Sequence, residues 1–392
     1  MQREKMRVVD LFAGCGGLSK GFENAGFQLV GAFEFWNAAA ECYRQNFNHP
    51  VFSTDLSQIS TAVQEISALD PEVIIGGPPC QDFSHAGKRI EASRASLTEA
   101  YANIIKEISP KYFLMENVDR AQKSHAYSSA RNIFKNAGYG LTEIVLDASF
   151  CGVPQRRKRF FCMGIKGKDD GFALNLISQN LSSKEMTLRD YFGNSLGFEY
   201  YYRHPRNYDR RAIFSIDEPS PTIRGVNRPV PKGYPGHPHD ACILNEEIRA
   251  LTLLERALIQ TFPVDFKWVG SKTEIEQMIG NAVPVKLAEF VAKILKSFIE
   301  DNSPQYLVEK STFLSWIGQK YCYSERTLCD IYSRLQRAFR ILPPQKMVDD
   351  FYLYQLEKCI EFQHLSSSVR SQIRKAISLL IDYNQSSYLL AI

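Results

Sequence analysis

The sequence predicts an α/β protein with a mainly parallel β-sheet and helices on both faces. In the first 165 residues, short apolar runs alternate with stretches of helical periodicity, a pattern typical of βαβ units. Several of these runs stop at glycine or proline, as Met6–Phe12 does before Gly14 and Val73–Ile75 does at Gly76. A chain of 392 residues is long enough for two or three structural units.

The predicted elements follow one another along the chain. Strands are predicted at Met6–Phe12, Phe27–Phe33, Val73–Ile75, Tyr112–Met115, Leu141–Leu146 and Phe160–Gly164, and helices at Leu18–Asn24, Ala38–Asn46 and Tyr101–Ile108. From about residue 166 to 248 the periodicity fades, and Gly, Pro, Tyr and Arg cluster in a loop-rich segment. Helical periodicity returns at Glu246–Thr261 and Ile275–Ile299, where Pro284 predicts a helix start.

The last 92 residues contain almost no glycine and predict an α-helical extension. Its helices are expected at Ser311–Lys320, Ser324–Phe339, Val348–Phe362 and Ser367–Asp382, with Ser324 as a cap. Aromatic and leucine side chains at helical spacing predict a small separate core. The predicted domains are 1–165 for catalysis and cofactor binding, 166–274 for target recognition and hinge, 275–300 for a helix that returns to the first domain, and 301–392 for the extension.

Composition and charge exclude several classes of protein. The chain is 44% hydrophobic and 23% charged, and it has no apolar run of about 18 residues that would span a membrane. Its first residues carry mixed charge, which argues against a secretory signal. The nine scattered cysteines form no Cys-x-x-Cys pair, which argues against disulfides and a structural zinc site. We therefore expect a cytoplasmic protein without a metal, and the net charge of +4 permits a nucleic-acid partner.

A glycine-rich turn follows the first strand and predicts a cofactor site. Gly14, Gly16 and Gly17 let the backbone bend tightly towards a ligand, and Glu34 ends the second strand 20 residues after Gly14. A carboxylate at that place accepts hydrogen bonds from ribose hydroxyls in NAD and in S-adenosylmethionine sites. The spacing is not Gly-x-Gly-x-x-Gly, which disfavours NAD, and an ordinary turn remains an alternative.

Three further segments follow or begin strands of the same half. They bring a cysteine after two prolines at Pro78-Pro79-Cys80, a carboxylate at Glu116 and guanidinium groups at Arg156–Arg159. Separately these residues indicate an inert thiol, a solvated carboxylate and an exposed basic face. Together they suit nucleophilic attack on an electron-poor ring, because a thiolate adds while a carboxylic acid protonates a ring nitrogen.

The order of these motifs resembles that of the DNA cytosine-5 methyltransferases of bacterial restriction–modification systems. The segments that carry the resemblance are Asp10-Leu11-Phe12-Ala13-Gly14-Cys15-Gly16-Gly17, Pro78-Pro79-Cys80, Glu116-Asn117-Val118, Gln155-x-Arg157-x-Arg159, Arg249–Pro263 and Gln277–Pro284. The resemblance covers about residues 6 to 300. It implies a Rossmann-like mixed sheet and the transfer of a methyl group from S-adenosylmethionine, which becomes S-adenosylhomocysteine, to C5 of cytosine.

The resemblance also implies a role for individual residues. The cofactor positions would be Phe12, Gly14, Gly16, Glu34, Phe35, Asp55, Leu56, Pro79, Leu97 and Asn281. Cys80 would attack cytosine C6, Glu116 would bond the exocyclic amine and protonate N3, and Arg157 would steady the developing charge, with Arg159 also catalytic. The base would have to leave the duplex first.

Duplex DNA is the partner that the resemblance implies, and a cognate restriction endonuclease would act on the same sites. The loop after Cys80 and the Arg/Tyr-rich segment 166–248 would contact the duplex. The expected DNA contacts are Ser84, Lys88, Arg89, Gln155, Arg210, Arg211, Thr222, Arg224 and Arg228. A solvated basic loop is the alternative for the second segment.

Three other functions remain open from the sequence. A tRNA cytosine-5 methyltransferase shares the catalytic motifs but carries Cys-Phe-Thr in the target region, and this chain has none. A catalytically inactive DNA-binding regulator would leave Cys80, Glu116 and Arg157 without a role. An NAD-dependent oxidoreductase leaves Pro-Pro-Cys unexplained. The extension, with basic residues such as Arg334 and Arg337, would add DNA contacts, dock a partner or form a dimer.

Overall fold

The computed structural model describes residues 5–79, 97–205, 207, 209–301, 310–342, 344 and 348–389. The chain divides into two compact units, Met1–Leu295 and Lys296–Ile392. The first unit contains both the sheet and the loop-rich segment, and the second contains the helical extension. The recognition role assigned to residues 166–274 remains a prediction.

A seven-stranded mixed sheet forms the centre of the first unit. The first eight strands are β1 (Arg7–Leu11), β2 (Gln28–Phe33), β3 (Val51–Phe52), β4 (Val73–Gly76), β5 (Tyr112–Val118), β6 (Tyr139–Asp147), β7 (Gln155–Arg156) and β8 (Lys158–Lys166). All except β7 lie in the sheet, in the order β3-β2-β1-β4-β5-β8-β6. The first five pair in parallel, whereas β8 runs antiparallel to β5 and β6. The central strands β1, β4 and β5 are largely apolar and have no exposed apolar side chain, as expected for parallel strands covered on both sides.

Helices cover both faces of this sheet. The first five are α1 (Gly17–Asn24), α2 (Asn37–Arg44), α3 (Ile59–Ser67), α4 (Leu97–Ile108) and α5 (His125–Asn136). Ala32 and Phe33 are neighbours in β2 but belong to different hydrophobic clusters, which lie on opposite faces because successive strand residues point apart. Ile66 of α3 and Ile104 of α4 share a cluster with Phe33, and Ala39 of α2 shares the other. The predicted α/β fold is confirmed.

Short elements occupy the loop-rich segment and connect it to the sheet. They are α6 (Leu174–Asn180), α7 (Leu188–Phe192), β9 (Tyr200–Tyr202), β10 (Ile213–Ser215) and β11 (Ser220–Pro221). β9 and β10 form an antiparallel pair, while β11 pairs in parallel with β7. The second pairing places Ser220 beside Gln155, so the segment is joined to the chain just before it enters β8.

The helix predicted at Glu246–Thr261 is shorter than expected, because α8 spans only Leu253–Ile259. A capping box defines its start: Thr252 Oγ1 accepts from the backbone N–H of Glu255 at 3.2 Å, and the Glu255 carboxylate accepts from the N–H of Thr252 at 2.7 Å. Periodicity alone did not reveal this boundary.

The helix predicted at Ile275–Ile299 is two helices, α9 (Lys272–Asn281) and α10 (Val285–Asp301). Pro284 lies directly before α10, since proline has no N–H and fits the beginning of a helix. The expected helix start at this proline is confirmed. Ala282 and Val283, which lie between the two helices, line the cavity described below. β3, α3 and α5 are additional elements that the sequence analysis did not predict.

The second unit is a helical bundle with its own core. Its helices are α11 (Lys310–Tyr321), α12 (Glu325–Ile341), α13 (Asp350–Lys358), α14 (Ile360–Gln363) and α15 (Ser367–Leu389). Phe313, Leu335 and Ile377 are buried together in the core. Ser324 caps α12 as predicted, with its hydroxyl accepting from the N–H of Thr327 at 3.3 Å. The predicted helical extension is confirmed. In the described part of the chain, no helix is both long and apolar enough to cross a membrane.

Candidate active site

The ends of four neighbouring strands open into one cavity of about 860 Å³. Residues that follow β1, β2 and β4 line it, together with the last residues of β5. Carboxyl ends of parallel strands meet at the same edge of a sheet, which is where α/β proteins bind their ligands. Segments distant in the sequence therefore surround a single space.

The glycine turn after β1 forms part of the cavity wall. Phe12 and Gly14 both have positive φ, at 58° and 57°, and the backbone N–H of Gly14 donates to Glu34 Oε2 at 2.7 Å. Gly16 does not line the cavity, and its place in the cofactor site stays a prediction. At φ 95°, a Cβ on Gly16 would lie 2.4 Å from a ring carbon of Phe47, so the turn requires glycine at this position.

Glu34 and Phe35 lie opposite the turn, just after β2. The second carboxylate oxygen of Glu34, Oε1, accepts from the N–H of Trp36 at 2.7 Å, which fixes the carboxylate between two loops. Burial raises the pKa of Glu34. The Phe35 ring lines the cavity yet is 69% exposed, which is unusual for phenylalanine and leaves an aromatic face open to a ligand.

The structure brings the other predicted cofactor residues to the same cavity. Those that line it are Phe12, Gly14, Glu34, Phe35, Asp55, Leu56, Pro79, Leu97 and Asn281. Asn281 is the last residue of α9, so a residue near the C-terminal end of the first unit completes a cavity formed mainly by its N-terminal strands.

Asp10 is a cavity residue that the sequence analysis did not assign to the site. It is fully buried in β1, and its Oδ2 accepts from Ser19 Oγ at 2.6 Å. Its Oδ1 has no hydrogen-bond partner among the described residues. Burial raises the pKa of Asp10 to about 7. The signal in the sequence was a carboxylate inside the otherwise apolar run Val8–Leu11.

Glu116 and Arg159 form an ion pair in the cavity. The Nε atom of Arg159 lies 2.9 Å from Glu116 Oε1, and both side chains are largely buried. The antiparallel register of β5 and β8 places Arg159 opposite Val118, two residues beyond Glu116, so both side chains fall on one face. Burial raises the pKa of Glu116, while the charges of Arg159 and Arg157 act in the opposite direction.

Arg157 does not line the cavity, and its role in steadying charge on the substrate stays a prediction. Its guanidinium is 1% exposed and donates to three backbone carbonyls, at Ile223 (2.9 Å), Gly280 (2.7 Å) and Ala282 (2.9 Å). In this position, Arg157 joins the start of β8 to the loop-rich segment and to the end of α9.

Gln155 is also placed differently from the DNA contact that was expected. Its side chain is fully buried, its Nε2 donates to Gln260 Oε1 at 2.8 Å, and its Oε1 accepts from the N–H of Ile223 at 2.9 Å. Both ends of the amide therefore bond inside the protein, and Gln155 links β7, the end of α8 and the loop-rich segment.

A basic cleft adjoins the cavity. It has a volume of about 670 Å³ and is lined by six arginines and one lysine, with two aspartates: Arg156, Lys158, Arg159, Arg203, Arg210, Arg211, Arg224, Asp119 and Asp147. Arg159 lines the cavity as well, so the two spaces meet at its guanidinium.

The expected DNA contacts divide between the cleft and other places. Four of them line the cleft: Thr222, Arg210, Arg211 and Arg224. Arg228 is exposed to solvent and does not line the cleft. Arg211 is already paired with Glu218. Cys80, Ser84, Lys88 and Arg89 lie outside the described residues.

Comparisons with known proteins identify the family of this chain. The profile of the family described as C-5 cytosine-specific DNA methylase matches residues 6–297. A Type II methyltransferase of Haemophilus influenzae, M.HindV, is 56% identical over 295 residues, which are 75% of this chain and 97% of that protein. M.HgiDI of Herpetosiphon aurantiacus, also named a Type II methyltransferase, is 54% identical over 77% of this chain and 98% of its own length.

Solved structures share the fold at lower identity. The Dnmt2 methyltransferase of S. pombe superposes with a TM-score of 0.58 at 20% identity, over 75% of this chain and 99% of that one. The Entamoeba histolytica methyltransferase EhMeth gives the same TM-score and identity over 76% of this chain and 99% of its own. Together with the two close relatives and the family match over most of its length, these findings show that the chain belongs to the C-5 cytosine-specific DNA methylase family.

Proposed function

We propose that the protein methylates C5 of a cytosine that is flipped out of duplex DNA, with S-adenosylmethionine as the methyl donor. One observation carries the proposal: the Glu34–Phe35 edge and the Glu116–Arg159 pair line the same cavity. A cofactor at the first and a cytosine at the second would lie close enough to react, since both occupy one space of about 860 Å³.

The residues around the turn fit S-adenosylmethionine. Phe35 offers an exposed ring for the adenine, and the oxygens of Glu34 each keep a second lone pair for the ribose hydroxyls. The unpaired Oδ1 of Asp10 suits an ammonium group, because a buried acceptor without a donor is unfavourable. When bound, S-adenosylmethionine supplies an electrophilic methyl group for C5 and leaves as S-adenosylhomocysteine.

Glu116 is suited to act on the pyrimidine as a proton donor. Its raised pKa increases the protonated fraction at neutral pH, and Arg159 holds the carboxyl in place. As the Cys80 thiolate forms a bond from sulfur to C6, Glu116 gives its proton to N3, which leaves C5 electron-rich. After methylation, loss of the C5 proton and cleavage of the sulfur–C6 bond regenerate the thiolate.

The position of the cleft supports base flipping. Six arginines and Lys158 line it, and such side chains bind phosphates of a duplex. Because Arg159 belongs to both cleft and cavity, a base rotated out of a duplex in the cleft would enter beside Glu116. Extrusion of a paired base costs a few kcal/mol, which these phosphate contacts would offset.

We also propose that a restriction endonuclease shares the recognition sequence. The two relatives at 56% and 54% identity are both named Type II methyltransferases, and the cytosine methylated here would protect such a site. DNA from cells that express the chain should resist at least one endonuclease whose site contains the cytosine found by bisulfite sequencing.

Transfer of a labelled methyl group tests the proposed substrate. Wild-type protein should label duplex DNA at cytosine C5 and should leave tRNA unlabelled. Cys80→Ala should abolish labelling and keep duplex binding, whereas Cys322→Ala, which alters an exposed cysteine of the second unit, should label DNA normally. Labelling of tRNA alone would contradict the proposal, and so would full activity of Cys80→Ala.

A further inference from the structure

The second unit contains a groove of about 720 Å³ between the end of α12 and the beginning of α15. Arg334, Arg337 and Arg340 line it from α12, while Gln372 lines it from α15. The arginines are three residues apart, so they follow one side of the helix over about 9 Å. Arg337 and Arg340 are exposed to solvent.

These arginines are not neutralised by the protein. Among the described residues, no carboxylate lies within 4 Å of the guanidinium groups of Arg334, Arg337 or Arg340. Glu361 is the acidic residue that lines the groove, and it forms no ion pair with them in the described part of the chain. By contrast, Arg374 just outside the groove is paired with Glu357 at 2.6 Å. The groove therefore keeps a net positive charge.

The beginning of α15 adds to this potential. The groove is lined by the first turns of this helix, where the backbone dipole of a helix that spans Ser367–Leu389 presents its positive end. This end of the helix favours an anion over a cation or an apolar ligand.

The close relatives indicate that methyl transfer does not require this unit. M.HindV aligns over 97% of its own length with only 75% of this chain, and M.HgiDI aligns over 98% of its length with 77%. The family profile ends at residue 297, close to the end of the first unit, and the unmatched 2–3% of each relative is too short to hold a second unit of this size. The groove is thus an addition to a module that such relatives have without it.

We propose that this groove binds the phosphate backbone of duplex DNA and gives the chain a second, sequence-independent contact with its substrate. The inference rests on the proposed function, because duplex DNA is the polyanion that the first unit would already hold. Each DNA strand carries a phosphate about every 3.4 Å along the helix axis, so a stripe of about 9 Å meets two or three of them. An acidic protein would also meet positive charge, but it would not present phosphates at this regular spacing.

The test compares two full-length variants that lose the same charge. R334Q/R337Q/R340Q removes the three groove arginines, and R326Q/K358Q/K375Q removes three exposed cations that do not line the groove. Affinity for a duplex that lacks the recognition site is measured between about 50 and 200 mM salt, because phosphate contacts make affinity salt-dependent. The groove variant should bind about tenfold more weakly, with a salt slope smaller by about 2 to 3, and the control should match wild type.

A third variant separates charge from folding. R334K/R337K/R340K keeps the cations, and it should restore most of the duplex affinity since ammonium groups also contact phosphates. With a duplex that contains the site, the groove variant should raise the KM for DNA and leave kcat unchanged. The inference would be overturned if wild type and R334Q/R337Q/R340Q bound the duplex equally, or if the groove and control variants lost the same affinity. It would also be overturned if the groove variant lost binding to an acidic protein but kept its affinity for the duplex. If wild type methylates duplex DNA in these cases, the proposed function stands and only the groove inference fails.

Discussion

Arg159 and Glu116 are joined by an ion pair of 2.9 Å at the point where the cavity meets the basic cleft. Burial raises the pKa of the carboxyl, and the guanidinium limits that rise. The carboxyl can then hold a proton for N3 without losing its fixed orientation. The pair connects the place where DNA would lie to the place where a base would react.

Glu116→Gln keeps the size of the side chain but removes its acidic proton. We expect methylation under single-turnover conditions to fall about 10²–10⁴-fold, the usual contribution of a positioned general acid. S-adenosylhomocysteine affinity, measured by calorimetry, should change little, because Glu116 lies beyond the Glu34–Phe35 edge. A rate within a few-fold of wild type would remove Glu116 from proton transfer.

Arg159→Gln should change the pH dependence of the reaction as well as its rate. In the proposed reaction the acid form of Glu116 donates the proton, so we expect the single-turnover rate to fall as pH rises through the pKa of Glu116. Loss of the neighbouring cation raises that pKa further, and the fall should therefore move to higher pH. Arg44→Gln, on the exposed side of α2, should leave the profile in place. A profile of Arg159→Gln that coincides with wild type would show that the pair does not tune the carboxyl.

Arg157→Ala should destabilise the first unit rather than act on chemistry alone. The change leaves three buried carbonyls without their donor, and we expect a loss of about 3–5 kcal/mol in the free energy of unfolding. Arg156→Ala is the matched control, since its ion pair with Glu185 is half-exposed and contributes about 0–1 kcal/mol. Denaturant titration compares them, and equal losses would mean that the three carbonyls are satisfied in another way.

Gly280→Ala should disturb the contact between α9 and the loop-rich segment. A Cβ on Gly280 would lie 2.1 Å from the backbone N of Gly225, a distance that requires the backbone to move. Gly225→Ala is the control in the opposite wall, because its Cβ would lie 3.4 Å from Gln277. We expect at least about 2 kcal/mol of destabilisation for the first and little for the second. Similar melting temperatures for both variants would contradict this packing.

Asp10 should make the stability of the ligand-free protein depend on pH. Its pKa is about 7 in the folded chain and 3.8 in the unfolded reference, so folding favours the protonated form. This contribution is present below about pH 4 and is lost as pH rises through about 7. Asp10→Asn mimics the protonated form and should gain up to about 3 kcal/mol on wild type between pH 5 and pH 8. If the difference in unfolding free energy between Asp10→Asn and wild type were the same at pH 5 and pH 8, the raised pKa of this buried carboxyl would be contradicted.

The sequence predicted six of the seven strands of the central sheet, and most of the predicted cofactor residues line the cavity, because both depend on local patterns. Glu34, Pro79 and Glu116 follow or end apolar runs, and parallel strands bring such ends together whatever lies between them. The helix at residues 59–67 was missed, since four of its nine residues are β-branched and weaken the helical signal.

The roles of Gln155 and Arg157 depend on tertiary structure that no local pattern records. A glutamine and an arginine in one basic run look available to DNA or substrate, but Gln155 and Arg157 are both buried and bonded to the loop-rich segment. Of residues 155–159, only Arg159 lines the cavity, where its guanidinium pairs with Glu116. Asp10 was overlooked because its apolar neighbours in β1 made the whole strand look like part of the core.

The most direct test of the account is covalent trapping of Cys80 by a duplex that carries 5-fluorocytosine. Fluorine at C5 replaces the proton whose removal is needed for release, so the sulfur–C6 bond should persist once the methyl group is added. With S-adenosylmethionine present, wild-type protein should form a complex stable to denaturation, and peptide mapping should place the base on Cys80. Methylation of ordinary duplex without any trapped complex, or a complex that still forms with Cys80→Ala, would contradict the proposed nucleophile.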